Sequence, residues 1–152
     1  PEHVEGHLAG WSYFQTVDTP ANRNFVARFR AEHGEDRVVS DPMEAAYSQV
    51  YLWKLAVERA GSFDVDRVLE AYNSGIEFDA PGGKIKVDPE NRHTYKPVLI
   101  GRLRADRQFD IVYETQEWIK PEPYPPRAFP GWQCDWTGGG VTEGEKVDTR
   151  LG

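Results

Sequence analysis

Few side chains in this chain have the types and spacing that bond-making chemistry needs. The four histidines, His3, His7, His33 and His93, lie apart. His3 and His7 stand at i, i+4, which suits a metal ion only when both project from one helix face. Their segment, PEHVEGHLAG, starts with proline and carries two glycines, so neither a helix nor a metal site is expected. Cys134 has no histidine or basic cluster beside it and reads as a packed or exposed thiol, not a nucleophile. Being single, it cannot close an internal disulfide, and cysteine usage leaves the redox compartment open. No GxSxG elbow, Walker A loop or dinucleotide fingerprint occurs. The glycines at 138–140 follow no strand and precede no helix, so they read as linker. Asp79 and Asp88 flank turns, where carboxylates serve turn formation. The residues therefore point away from an enzyme and call for no cofactor.

Two groups of residues could instead hold a small molecule. Tyr13, Phe14, Tyr47, Tyr51 and Trp53 combine apolar walls with hydroxyl handles. Core packing is the stronger reading of the same set, since cores gather aromatics. The second group is the head of the stretch SDPMEAAYSQVYLWKLAVERAG, residues 40–61. A helix start offers free N–H groups and partial positive charge to a carbonyl oxygen. Asp41 as N-cap, Pro42 at N1 and Glu44 three residues on also fit a capping box, which would occupy those donors.

These residues need elements to position them. LAGWSYFQTV, residues 8–17, reads as a strand. Thr19 then caps a helix begun by Pro20, with Phe25, Val26 and Phe29 as its buried stripe and Gly34 as its stop. Residues 36–39 form a short strand before the 42–60 helix, which ends at Gly61. That helix is apolar on more than one face and is expected to be covered on two sides. A third helix spans about residues 64–73, with Val65, Val68, Leu69 and Tyr72 inward and Gly75 after it. IEFDA-PGG-KIKVD reads as a hairpin, and residues 96–104 and 109–114 as two further strands. From Trp118 the chain becomes rich in proline, which excludes helix and central strand. This divides it into residues 1–117 and an arm and tail, 118–152. The arm's aromatics, Trp118, Tyr124, Phe129, Trp132 and Trp136, are expected to dock on the domain, with disorder beyond Thr137.

The totals agree with a soluble α/β domain. The 152 residues are 39% hydrophobic and 28% charged, with a net charge of −7. That charge argues against nucleic acid, whose phosphates need a basic face. No apolar run approaches the roughly 18 residues of a membrane helix, and no basic-then-apolar leader opens the chain. Its first residue is Pro1, so a processed product or a piece of a longer protein is expected.

Four stretches carry a family resemblance: WSYFQTVDTPANRNFVARFRAEHG, SDPMEAAYSQVYLWKLAVERAG, FDAPGGKIKVDPENRHTYKPVLIGRLRADRQFDIVYE and the IKPEPYPP…CDW ending. In order and spacing they resemble the C-terminal portion of urea and short-chain-amide substrate-binding proteins of ABC transporters, relatives of an amide-sensing amidase regulator. The resemblance implies part of a type I periplasmic binding protein fold: helices packed on a mixed sheet, with crossover strands between two lobes. It implies that strand 8–17 is a crossover, that the three helices belong to one lobe, and that strands 96–114 return toward the other. The Ser40–Glu44 turn would face the cleft, making Tyr13, Ser40, Asp41, Met43 and Tyr47 the candidate ligand-binding residues. The implied partners are a small neutral amide or urea, a membrane permease, and an N-terminal portion of the same protein. The implied location is periplasmic or extracellular and membrane-anchored. The alternative is a cytoplasmic amide-sensing regulator of the same fold that binds a transcription antiterminator.

Overall fold

The computed structural model describes residues 4–125 and 127–131. Its elements, in order, are β1 (Leu8–Trp11), α1 (Pro20–His33), α2 (Asp41–Ala60), α3 (Val65–Tyr72), β2 (Glu77–Ala80), β3 (Gly83–Val87), β4 (Thr94–Tyr95), β5 (Leu99–Leu103) and β6 (Phe109–Glu114). Among the described residues the strands form two three-stranded sheets, ordered β1-β5-β6 and β2-β3-β4. All of these pairings are antiparallel, where the sequence suggested a mixed sheet.

The helices begin and end for local reasons. The Thr19 hydroxyl accepts the Asn22 N–H at 2.9 Å, and Pro20 supplies a preset φ at the first position. Gly34, at φ 114°, stops α1 by donating its N–H to the Arg30 carbonyl. Gly61 ends α2 in the left-handed region at φ 58°, where a side chain would be strained. Asp64 caps α3 by accepting the Arg67 N–H at 3.1 Å.

The β2–β3 hairpin turns at Pro81 and Gly82 and pairs Phe78 with Ile85. With α2 and α3 it closes the core: Leu52, Ala56, Val68, Ala71, Ile76, Ala80, Ile85 and Val87. This is the helical body. The β1-β5-β6 sheet forms a second body, with Phe14 and Phe109 in contact at 4.6 Å between ring centres. The main element contacts fall within one body or the other: α2 with α3, and α1 and α2 with β2, on one side; β5 with β1 and β6 on the other. The chain passes between the bodies along residues 12–19 and again along residues 96–98.

Several expectations are corrected. The strand foreseen over 8–17 stops at Trp11. Beyond it the carbonyls of Gln15 and Val17 accept from the Asn22 side-chain amide and not from a neighbouring strand. Residues 36–39 form no strand, and the Val39 N–H goes to the Gln15 side chain. On α1 the buried residue is Asn22, while Phe25, Val26 and Phe29 are half-buried. On α3, Val65 is exposed; Val68, Leu69 and Tyr72 face inward as read. Among the described residues the α2 helix is covered on one side. Glu44, Ser48, Leu52 and Ala56 recur every four residues and are buried, whereas Met43, Val50 and Trp53 are 48%, 63% and 52% exposed.

The described residues up to Pro121 form one compact unit, and those from Glu122 to Gly131 belong to a second. In the second, the N–H groups of Ala128 and Phe129 both donate to the Pro125 carbonyl, and the Tyr124 and Phe129 rings meet edge to face. Pro1, His3, Trp132, Cys134, Trp136 and the tail from Thr137 lie outside the described residues, so the expectations placed on them have no structural account.

Candidate functional site

Polar side chains converge where residues 12–19 cross the head of α2. The Ser12 hydroxyl donates to Asp41 Oδ1 at 2.7 Å. Tyr13, only 2% exposed, donates its hydroxyl to Asn22 Oδ1 at 2.8 Å. Asn22 is as deeply buried, and both ends of its amide are used: Oδ1 accepts from Tyr13, and Nδ2 donates to the Gln15 and Val17 carbonyls. Burial, then the negative charges of Glu44 and Asp41, push the Tyr13 hydroxyl well above the ordinary tyrosine range. Tyr13 is therefore a neutral donor already committed to Asn22.

One turn along α2, Glu44 is fully buried and accepts from Ser48 Oγ at 2.7 Å and Lys96 Nζ at 2.9 Å. A charge so deep is tolerated only when paired and hydrogen-bonded, as here. The hairpin tip closes over the cluster. A Cβ on Gly82 would lie 3.3 Å from Tyr13 Cδ2 and 3.8 Å from Glu44 Cδ, so glycine permits the close approach. The Thr19 hydroxyl ties the same tip by donating to the Pro81 carbonyl at 2.8 Å.

The five sequence-selected residues do not meet in one pocket. Tyr13 and Asp41 share the cluster. Ser40 is exposed and is itself the N-cap of α2, in place of Asp41, without a side-chain capping bond. Its carbonyl receives the N–H groups of Met43 and Glu44, both at 3.1 Å. Pro42 has no N–H, so this helix start keeps few donors for a ligand oxygen. The capping box is also absent: Glu44 turns inward to Lys96 and Ser48. Met43 is half-exposed at the helix head.

Tyr47 belongs to an aromatic ladder, with ring centres 4.6 Å from Phe25 and 4.7 Å from Tyr51. Tyr51 stacks on Phe78 in turn. Burial, followed by a hydrogen bond with Tyr51, raises the Tyr47 hydroxyl to about 12. Phe14 faces Phe109, and exposed Trp53 faces Phe63, so the proposed aromatic enclosure is dispersed into separate packing contacts.

Three functional candidates went unread in the sequence: Asn22, Glu44 as a buried partner, and Lys96. Only Glu44 carried a signal, as an acidic residue on a mainly apolar helix. An open groove of about 450 Å³ is lined by Ser48, Gln49, Leu52, Asn91, His93 and Lys96 among others. Its size suits a small molecule, yet none of the five sequence-selected residues lines it. No group of three or more His, Cys, Asp or Glu among the described residues could hold a metal ion.

The fold is thus helices layered on antiparallel sheets, with polar side chains gathered where the chain crosses between two bodies. A family model described as a periplasmic binding protein domain matches residues 1–129, and the chain belongs to that family. It is similar to the "Limonene hydroxylase" of Geobacillus stearothermophilus, 34% identical over 122 residues, covering 80% of this chain and 22% of that protein. It is also similar to "Leu/Ile/Val-binding protein homolog 6" of Brucella abortus, 32% identical over 118 residues, covering 76% of this chain and 29% of that protein.

Among solved structures, a solute binding protein of an ABC transporter from Rhodopseudomonas palustris, in complex with p-hydroxybenzoic acid, matches with a TM-score of 0.64 and 27% identity, covering 80% of this chain and 33% of that one. A second R. palustris solute binding protein, in complex with 3,4-dihydroxy benzoic acid, shares the fold with a TM-score of 0.71 at 21% identity over 80% of this chain and 34% of that one. The chain thus spans 22% and 29% of the two curated relatives' lengths. Among the described residues no helix is long and apolar enough to cross a membrane.

Proposed function

We propose that the protein is the solute-binding component of an ABC transporter and that its solute is urea or a short-chain amide. This chain supplies part of the site, with Tyr13, Ser40, Asp41, Met43 and Tyr47 near the ligand. The observation that carries the reading is the part-buried Asp41 carboxylate at the head of α2, fixed by Ser12 and flanked by exposed Ser40 and half-exposed Met43, while Glu44 is buried and paired with Lys96. Such a surface favours a ligand end that donates hydrogen bonds, as an NH₂ group does, and disfavours a carboxylate.

The named relatives differ on this point. Two of the solved ones hold hydroxybenzoic acids, and the Brucella protein is named for branched-chain amino acids. These names stay with those proteins. The hydroxylase name is not carried across either, since the match spans 22% of that protein. Capture breaks no bond: ligand bridging two lobes favours the closed arrangement. The working partners are a membrane permease and the remainder of the binding fold, and the working location is periplasmic or extracellular. The regulator reading gains no support from these relatives.

The test is a thermal-shift series. Urea or acetamide should raise the melting temperature with a concentration dependence that follows binding, and leucine should not. The reverse order rejects the amide assignment.

A further inference from the structure

Gln15 is placed to do something the clamp reading does not yet explain. Its side chain lies between the two bodies and bonds to both. Gln15 Oε1 accepts the backbone N–H of Val39, in the helical body, at 2.7 Å. Gln15 Nε2 donates to Gln108 Oε1, at the β5–β6 turn of the sheet body, at 3.2 Å. The amide orientation is dictated by Val39: a flipped amide would set NH₂ against N–H. The Gln15 backbone is pinned as well, its carbonyl receiving the Asn22 amide at 2.9 Å.

The neighbours on the crossing sort cleanly by body. Ser12 bonds to Asp41, Tyr13 to Asn22 and Thr19 to Pro81, all in the helical body. Phe14 packs on Phe109, and the Thr16 hydroxyl donates to the Phe109 carbonyl at 2.6 Å, both in the sheet body. The crossing is thus anchored to each body separately, and Gln15 joins the two sets of anchors. At the second crossing the Lys96 side chain bonds to Glu44 in the helical body, and its carbonyl receives the Ile119 N–H from the chain after β6.

We infer that Gln15 is a positioning residue that sets the angle between the helical body and the β1-β5-β6 sheet, by bonding Val39 on one side and Gln108 on the other. It touches no ligand in this account. It holds the Tyr13–Asp41 cluster in register with the sheet body, so that closure on a solute starts from one defined geometry. The inference rests on the clamp reading for its purpose, though its geometry does not.

The test is a distance measurement by paired spin labels without solute, so a failure of the solute assignment leaves it unaffected. Labels are placed at Arg102→Cys on β5 and Glu70→Cys on α3, both exposed sites, in a Cys134→Ser background. The parent should give one narrow distance distribution. Gln15→Ala should at least double its width, and Gln108→Ala, which cuts only the sheet-side bond, should broaden it as well. Exposed Gln116→Ala serves as the control and should leave it narrow. Unchanged widths in Gln15→Ala and Gln108→Ala overturn the inference. If Gln15→Ala does not fold, as circular dichroism would reveal, Gln108→Ala decides alone.

Discussion

Tyr13 and Asn22 are the residues whose chemistry is most tightly determined. Replacing Tyr13 with Phe removes the hydroxyl that satisfies buried Asn22 Oδ1 and leaves an orphaned acceptor. We expect a loss of about 1–3 kcal/mol, read by urea denaturation. The same change alters the alkaline limb of stability. Tyr13 ionises higher in the folded chain than the usual value near 10. Its contribution is therefore complete below pH ~10 and is lost as pH rises through the folded-state ionisation. Tyr13→Phe should flatten that alkaline decline and leave the neutral-to-acid profile with its original shape. Lys96→Met tests the other buried group. It strands Glu44, which has no exposure, and should cost about 3–5 kcal/mol, while adding Glu44→Gln should recover part of the loss.

These roles were poorly legible in the sequence because they depend on partners far along the chain. Lys96 meets Glu44 across 52 positions. Asn22 sits mid-pattern in a polar stretch, with no local sign that its amide replaces a strand partner for residues 15 and 17.

At the scale of elements, local signals were legible where the deciding atoms are neighbours in sequence. Thr19, Gly34, Gly61 and the hairpin turn at Pro81–Gly82 stand where their chemistry put them. The signals failed where tertiary partners chose. Asp41 resembles a cap in isolation, yet Ser12 claims its carboxylate and Ser40 takes the cap position. Residues 12–17 have strand-forming side chains but cross between bodies, where no strand among the described residues pairs with them.

The sheet body offers its own test. Gly101 lies under Phe14, and an added Cβ would stand 2.8 Å from Phe14 Cζ and 3.0 Å from Phe109 Cβ. Gly101→Ala should therefore displace the Phe14–Phe109 contact and cost about 1–3 kcal/mol. Gly10→Ala, on the paired strand β1 where nothing stands within 4 Å, should cost far less in the same denaturation series.

At the scale of the whole molecule, two packed bodies joined by two crossings place the Ser12-held Asp41 carboxylate at the head of α2. The chain belongs to the periplasmic binding protein family, and on the proposed reading that arrangement is one part of a clamp. The family was legible in the sequence because its wording runs through nearly every element. The solute was not, because the side chains chosen for the site, from Tyr13 to Tyr47, are largely committed to internal partners. The central claim is capture of a neutral amide without its conversion, and calorimetric titration with urea, acetamide, leucine and 4-hydroxybenzoate, with ammonia followed in parallel, tests it most directly. The account predicts saturable heat with urea or acetamide, none with leucine or 4-hydroxybenzoate, and no ammonia. Saturable heat with leucine or 4-hydroxybenzoate alone, or release of ammonia from the amide, contradicts it.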